Sequence, residues 1–198
     1  HGGIDIDNLL ASHKKHNNFD KRYDACFFGR LHPQKGPVQL IEIWREVIKT
    51  KPNAKLVIIG NGEEEIKIKK MIHKYKLSSN VEMMGFVIGE PKNKILLSSK
   101  LIIHPAIYDT GGMAICQAMA FGLPAISFDL EGLKFTYPTG MIKIKCFNII
   151  LFARKVVDLL DDEILFSKTS KEARNLAKGW SWNQRGRELF NFLNKINF

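Results

Sequence analysis

Residues 104–129, HPAIYDTGGMAICQAMAFGLPAISFD, constrain the fold of this chain more than any other stretch. They read as a strand end, a polar turn, two glycines, a helix, a tight turn and a second strand. The apolar run at 100–103 suits a buried strand. Tyr108-Asp109-Thr110 is a turn that carries a carboxylate. Gly111 and Gly112 then bring bare backbone to the start of a helix that runs to about Phe121. Gly122-Leu123-Pro124 stops that helix, and 125–128 form the next strand. A helix N-terminus presents unpaired N–H groups and a partial positive charge, so it suits a phosphate. In open α/β sheets ligands bind beyond the carboxyl ends of the strands, which is where this turn falls. Asp109 is then placed to face a ligand at the mouth of the crevice. Gln117, on the helix face of Met113, is placed to reach it from the side. The plainer alternative makes Asp109 or Thr110 an N-cap and Gln117 a polar residue at a helix boundary.

The same alternation runs through the rest of the chain. A strand at 23–28 is followed by the loop Gly29-Arg30-Leu31-His32-Pro33-Gln34-Lys35-Gly36. Pro37 fits the first turn of a helix that runs to about Thr50. Arg30 and Lys35, at the carboxyl end of a first strand, can clamp a diphosphate, arginine through its planar fork and lysine as a point charge. The alternative is a solvated basic loop. A second strand at 55–59 ends at Gly60-Asn61-Gly62, and Glu63, Glu64 and Glu65 follow. This is not a dinucleotide fingerprint: the third glycine is missing, and three carboxylates repel a pyrophosphate while favouring the helix dipole. A third strand at 80–84 leads to Gly85-Phe86-Val87, where Phe86 or Val87 is either a nonpolar wall for a ligand or part of the core. A short helix is expected at 91–97. Further helices are expected at 147–160, at 163–178, and from the cap Ser181 to about Ile196. Six parallel-type strands alternating with helices, five of them delimited here, predict a doubly wound, Rossmann-like α/β domain.

At 198 residues the chain is one domain, or one and a tail. Residues 1–21 are polar and aperiodic and read as a lead-in or interdomain linker; 22–198 form the domain and its C-terminal helices. Asp5-Ile6-Asp7 has the form of a metal-binding Asp-x-Asp, discounted because it sits in a polar terminal stretch and not at a strand end. The net charge of +10 ranks first as solvated surface, second as attraction to an anionic membrane and third as nucleic-acid binding. The lysines alternate with glutamates instead of forming one stripe. No apolar run is long enough to cross a bilayer, and no secretory signal peptide is visible. Cys26, Cys116 and Cys146 are widely spaced and odd in number, which points to buried thiols in a reducing, cytoplasmic compartment, without a zinc site.

Two loops in the right order resemble the retaining GT-B glycosyltransferases of family four, the glycosyl transferases group 1. The first matches as Pro105-Ala106, Tyr108-Asp109, Gly111-Gly112, Gln117, Ala118-Met119-Ala120 and Gly122-Leu123-Pro124, with Asp109 and Gln117 standing where the family has glutamates. The second matches as Gly29-Arg30 followed by Lys35-Gly36. Thr139-Gly140 and Ser181-Trp182 match later turns, so the resemblance covers about 23–182. It implies the C-terminal, donor-binding half of a two-domain enzyme, with the acceptor-binding N-terminal domain missing from this chain. It also implies retention by same-face attack, the departing phosphate helping to deprotonate the acceptor. The implied substrate is a UDP-, GDP- or ADP-sugar, with no metal ion, no other cofactor and no nucleic acid. On this resemblance Arg30, Lys35 and the amides of Gly111 and Gly112 hold the diphosphate, Gly29 and Met113 also belong to the substrate site, and Asp109, Arg30 and Lys35 are the catalytic residues. Phe86 and Val87 lie beside the base, and Asp109 touches sugar hydroxyls. Gln117 holds the ribose hydroxyls, more weakly than a charged acceptor does. The rival reading is a nucleotide-binding or interaction module that has lost catalysis.

Overall fold

A computed structural model of the chain describes residues 3–6, 9 and 20–196. Six strands form one parallel sheet in the order β3-β2-β1-β4-β5-β6. They are β1 (Tyr23–Phe28), β2 (Leu56–Ile59), β3 (Val81–Gly85), β4 (Ser99–His104), β5 (Ala125–Phe128) and β6 (Met141–Ile144). Every residue of β2 and of β5 is buried. Both faces of a parallel sheet are covered by its crossover helices, so such strands are apolar throughout instead of alternating. The unexpected detail is β6, whose Met-Ile-Lys-Ile pairs with β5 from Ala125 opposite Met141 to Phe128 opposite Ile144.

The connecting helices are α1 (Pro37–Thr50), α2 (Glu65–Lys74), α3 (Gly89–Leu97), α4 (Met113–Ala120), the single turn α5 (Glu131–Lys134), α6 (Ile149–Asp161), α7 (Glu163–Lys178) and α8 (Trp182–Leu193). From β1 the chain moves through α1 to β2 on one side; from β4 it moves through α4 to β5 on the other. Right-handed crossovers in opposite directions put α1 and α4 on opposite faces. Accordingly α1 packs against α6 and α2, and α4 packs against α7. The α1 face buries Leu40, Ile41, Ile43, Trp44 and Val47, and the α4 face buries Ile115, Cys116, Ala118 and Met119.

The order reverses between β1 and β4. This is the switch point of the sheet, and the loops leaving these two strands separate there and leave a crevice. The two loops are nevertheless stitched together beside it. Ile107 N–H and Tyr108 N–H both donate to Gln34 O, at 2.9 and 3.3 Å. Gly36 sits at φ 68°, and a Cβ there would fall on the carbonyl oxygen of Pro105. Only glycine satisfies both the left-handed backbone and that contact.

Of the lead-in, the described residues Ile4, Ile6 and Leu9 are buried. Ile4 forms an isolated parallel bridge with Ser181, where Ile4 N–H donates to Trp180 O at 2.8 Å. Asp7, the second carboxylate of Asp-x-Asp, lies outside the described residues. Cys26 and Cys116 are buried and Cys146 is partly so; all three are free thiols.

Candidate functional site

The crevice at the switch point is a cleft of about 310 Å³ lined by Phe28, Gly29, Lys35, Asp109, Gly112 and Met113, among others. Local sequence explains each side. After β1, Pro33–Lys35 form one tight helical turn capped by the His32 side chain, and this brings Lys35 back over the strand ends. After β4, Gly112 at φ 57° reverses the chain into α4. Because helical N–H groups of the first turn have no acceptor within the helix, this end of α4 carries positive character into the cleft.

Asp109 is the hub. Its Oδ1 accepts hydrogen bonds from the amides of Gly111 at 3.0 Å and Gly112 at 2.9 Å. Its Oδ2 accepts from Lys35 Nζ at 2.6 Å and lies 2.9 Å from His104 Nε2. The carboxylate is nearly buried, with 10% of the side chain exposed. Burial alone would push its pKa up. Hydrogen bonds from His104, Lys35 and the two amides outweigh that and hold it well below the usual carboxylate range. The turn is closed from the other side by Tyr137, whose hydroxyl is 2.9 Å from Gly111 O and 2.7 Å from Gly112 O. Its ring stacks on Trp180 at 5.3 Å, and burial pushes the phenol pKa up.

The structure therefore brings together Gly29, Lys35, Asp109, Gly111, Gly112 and Met113. Arg30 is exposed on the same loop. Phe86 follows β3 and is 70% exposed, while Val87 packs against the core. Gln117 lies elsewhere. Its Oε1 accepts from Lys92 Nζ of α3 at 2.6 Å, and the two line a neighbouring hollow of about 290 Å³ with Gly3, Gly89 and Trp182. His104, Tyr137 and Lys92 were not singled out by sequence reasoning. His104 carried a signal, since it ends the strand that feeds the turn. Tyr137 carried none, being 25 residues from the Gly112 carbonyl it binds. Among the described residues no group of three or more His, Cys, Asp or Glu is placed to hold a metal ion, and no helix is long and apolar enough to cross a membrane.

The sequence model of the family described as glycosyl transferases group 1 matches residues 10–176. The chain belongs to this family. Among curated relatives, poly(glycerol-phosphate) alpha-glucosyltransferase of Bacillus subtilis is 28% identical over 164 residues, 81% of this chain and 24% of that protein. An uncharacterized glycosyltransferase of Methanocaldococcus jannaschii is 35% identical over 132 residues, 66% of this chain and 30% of that one. The chain thus spans about a quarter to a third of these relatives. Among solved structures, a TarM mutant of S. aureus in complex with fondaparinux, alpha-GlcNAc-glycerol and UDP superposes with a TM-score of 0.79 and 25% identity. The match covers 89% of this chain and 36% of TarM. The C-terminal domain of a glycosyl transferase group 1 family protein (LpcC) from Francisella tularensis superposes with a TM-score of 0.75 at 16% identity, covering 89% of this chain and 97% of that domain. The last match concerns the fold alone.

Proposed function

We propose that this chain is the C-terminal, nucleotide-sugar-binding domain of a retaining, metal-independent glycosyltransferase whose acceptor-binding domain lies outside these residues. One observation carries the reading: the basic loop after β1 and the glycine turn before α4 meet over a single cleft at the switch point. In glycosyl transfer the bond between the anomeric carbon and the diphosphate oxygen breaks, and negative charge grows on the diphosphate. Arg30, Lys35 and the positive end of α4 are the groups that would neutralise it. Asp109, with both oxygens taken by four donors, serves this reading by aiming Lys35 and the glycine turn. TarM was solved with UDP and superposes over 89% of this chain, so a uridine nucleotide is the first donor class to test.

The test is calorimetric titration with UDP, GDP, ADP and their sugar conjugates, on wild type and Arg30→Ala. Micromolar binding of one base, weakened in the variant, is the expected result. Absence of binding by every member to the folded whole protein overturns the reading. The full engagement of Asp109 favours one rival, a module that binds nucleotide without transferring sugar. Equal affinity for plain nucleotide and its sugar conjugate would select that rival.

A further inference from the structure

From Gly132 to Val157 the chain carries five cations, Lys134, Lys143, Lys145, Arg154 and Lys155, and no carboxylate. Two of its lysines are interleaved with apolar residues in Met141-Ile142-Lys143-Ile144-Lys145. The fold leaves several apolar residues of this stretch outside. Phe135 is 89% exposed, Phe147 60% and Ile150 65%, and Leu151 is exposed as well.

These residues gather at one corner. Phe135 follows α5 beyond the carboxyl end of β5, and Phe147 follows the carboxyl end of β6. The two turns adjoin: Lys143 Nζ donates to Lys134 O at 3.1 Å, and Asp129 N–H donates to Ile144 O at 2.7 Å. Ile150, Leu151 and Arg154 share the outer face of the first turns of α6, away from the buried Phe152, Val156 and Leu159. Phe147 turns left-handed at φ 64°, a backbone that a bulky side chain rarely adopts. Its ring lies 6.0 Å from that of Phe128.

Charge at the corner is mostly of one sign. Lys134 pairs with Glu131 and Lys155 with Asp158, both acids lying just outside the stretch. Asp129, also exposed, borders the corner within electrostatic reach of Lys134. Lys143, Lys145 and Arg154 form no ion pair within the described residues. Apolar tips set among cations suit a lipid interface. The tips enter the headgroup boundary, and the long lysine stems let the ammonium groups reach anionic headgroups. A nucleic acid would use the cations and leave Ile150 and Leu151 in water.

We propose that this corner, Phe135, Phe147 and Ile150 with Lys143, Lys145 and Arg154, docks on an anionic lipid surface. The cleft at the switch point opens at the same, carboxyl end of the sheet, so docking brings that cleft towards the headgroups. The proposal does not depend on the donor-binding reading, since vesicle binding and nucleotide binding are measured separately.

The experiment is co-sedimentation of the whole protein with vesicles of phosphatidylcholine alone, or of phosphatidylcholine and phosphatidylglycerol in equal parts, at low and at raised salt. The proteins are wild type, the double variant Phe135→Ser with Ile150→Ser, Lys145→Glu, and Ile66→Ser as a control at an exposed apolar residue of α2. Thermal melts confirm that each is folded. Wild type is expected to partition onto the anionic vesicles, and less so as salt rises. The double variant and Lys145→Glu should each lower that partitioning by roughly tenfold, and Ile66→Ser should leave it unchanged. Absence of wild-type binding at low salt, equal binding to neutral vesicles, or undiminished binding by the double variant overturns the proposal. So does self-association of wild type in sedimentation velocity, lost in the double variant and without vesicle binding, which would give the corner to a second copy of the chain.

Discussion

Lys35 and Asp109 are 74 residues apart and join across the switch point, with Nζ 2.6 Å from Oδ2. The contact ties the loop after β1 to the loop after β4 at the place where the sheet would otherwise be open. It also means that the lysine is paired with a carboxylate of the fold itself.

Removing that carboxylate should loosen the domain. Asp109→Asn is expected to cost about 2 kcal/mol at pH 7, because an isosteric amide keeps the shape and loses charge-assisted bonds. The carboxyl is held below its unfolded pKa of about 3.9. Its contribution is therefore complete above that pH and is lost as pH falls below about 4 towards the folded value. Urea unfolding of wild type and variant at pH 7 and pH 3 should show the gap closing in acid. A gap that stays constant would show that the ionised state does not matter.

Tyr137→Phe removes only a hydroxyl, but that hydroxyl serves both carbonyls of the glycine turn. The expected cost is about 1–2 kcal/mol, measured by denaturant midpoint. Nucleotide affinity should also fall, because the amides at the start of α4 lose their fixed direction.

Gly36→Ala should be damaging, since Gly36 is buried at the turn where the two loops meet. The left-handed backbone costs alanine about 1–2 kcal/mol, and the added carbon would press on Pro105 O. A melting temperature within error of wild type would contradict the stitched-loop description.

Arg30 and Lys35 should separate. Arg30 is exposed, and among the described residues its side chain is given no hydrogen bond or ion pair, so Arg30→Ala should reduce nucleoside diphosphate affinity by roughly tenfold or more while leaving the melting temperature unchanged. Lys35→Ala should reduce both, since it also leaves Asp109 short of a donor. If both variants lower the melting temperature equally, Arg30 has a structural partner in solution.

Five of the strands were legible because each carries a short, mainly apolar run, four of them closed by glycine or proline. Of the six, β6 was not delimited: its lysine and partly exposed methionine read as surface, and it becomes a strand only by pairing with β5. Helix α6 begins two residues later than its apolar pattern suggests. Asn148 caps it by accepting from Leu151 N–H at 3.1 Å, and Phe147 turns into the left-handed region at φ 64°. Helix α3 begins two residues earlier, at Gly89. In the site, the positions of Lys35 and the glycines followed from loop chemistry. The inward turn of Asp109 was present among the readings only as the capping alternative. Which reading holds depends on Lys35 and His104, brought to it by the sheet. Lys92 was one cation among 30 in the sequence, and nothing local distinguishes it. Its bond to Gln117 and its place over the Phe28 ring come from two other elements.

The bonds from Ile107 and Tyr108 to Gln34, and the contact of Gly36 with Pro105, couple the lengths of two loops. A residue inserted into either one would displace the other. The region 29–36 together with 105–112 is therefore a single indivisible cassette. Sequence variation that the fold can absorb has to enter around it, at the end of β3, where Phe86 and Ile88 are exposed; the turn after β5 offers no such room, because Gly132 and Leu133 pack against the glycine turn.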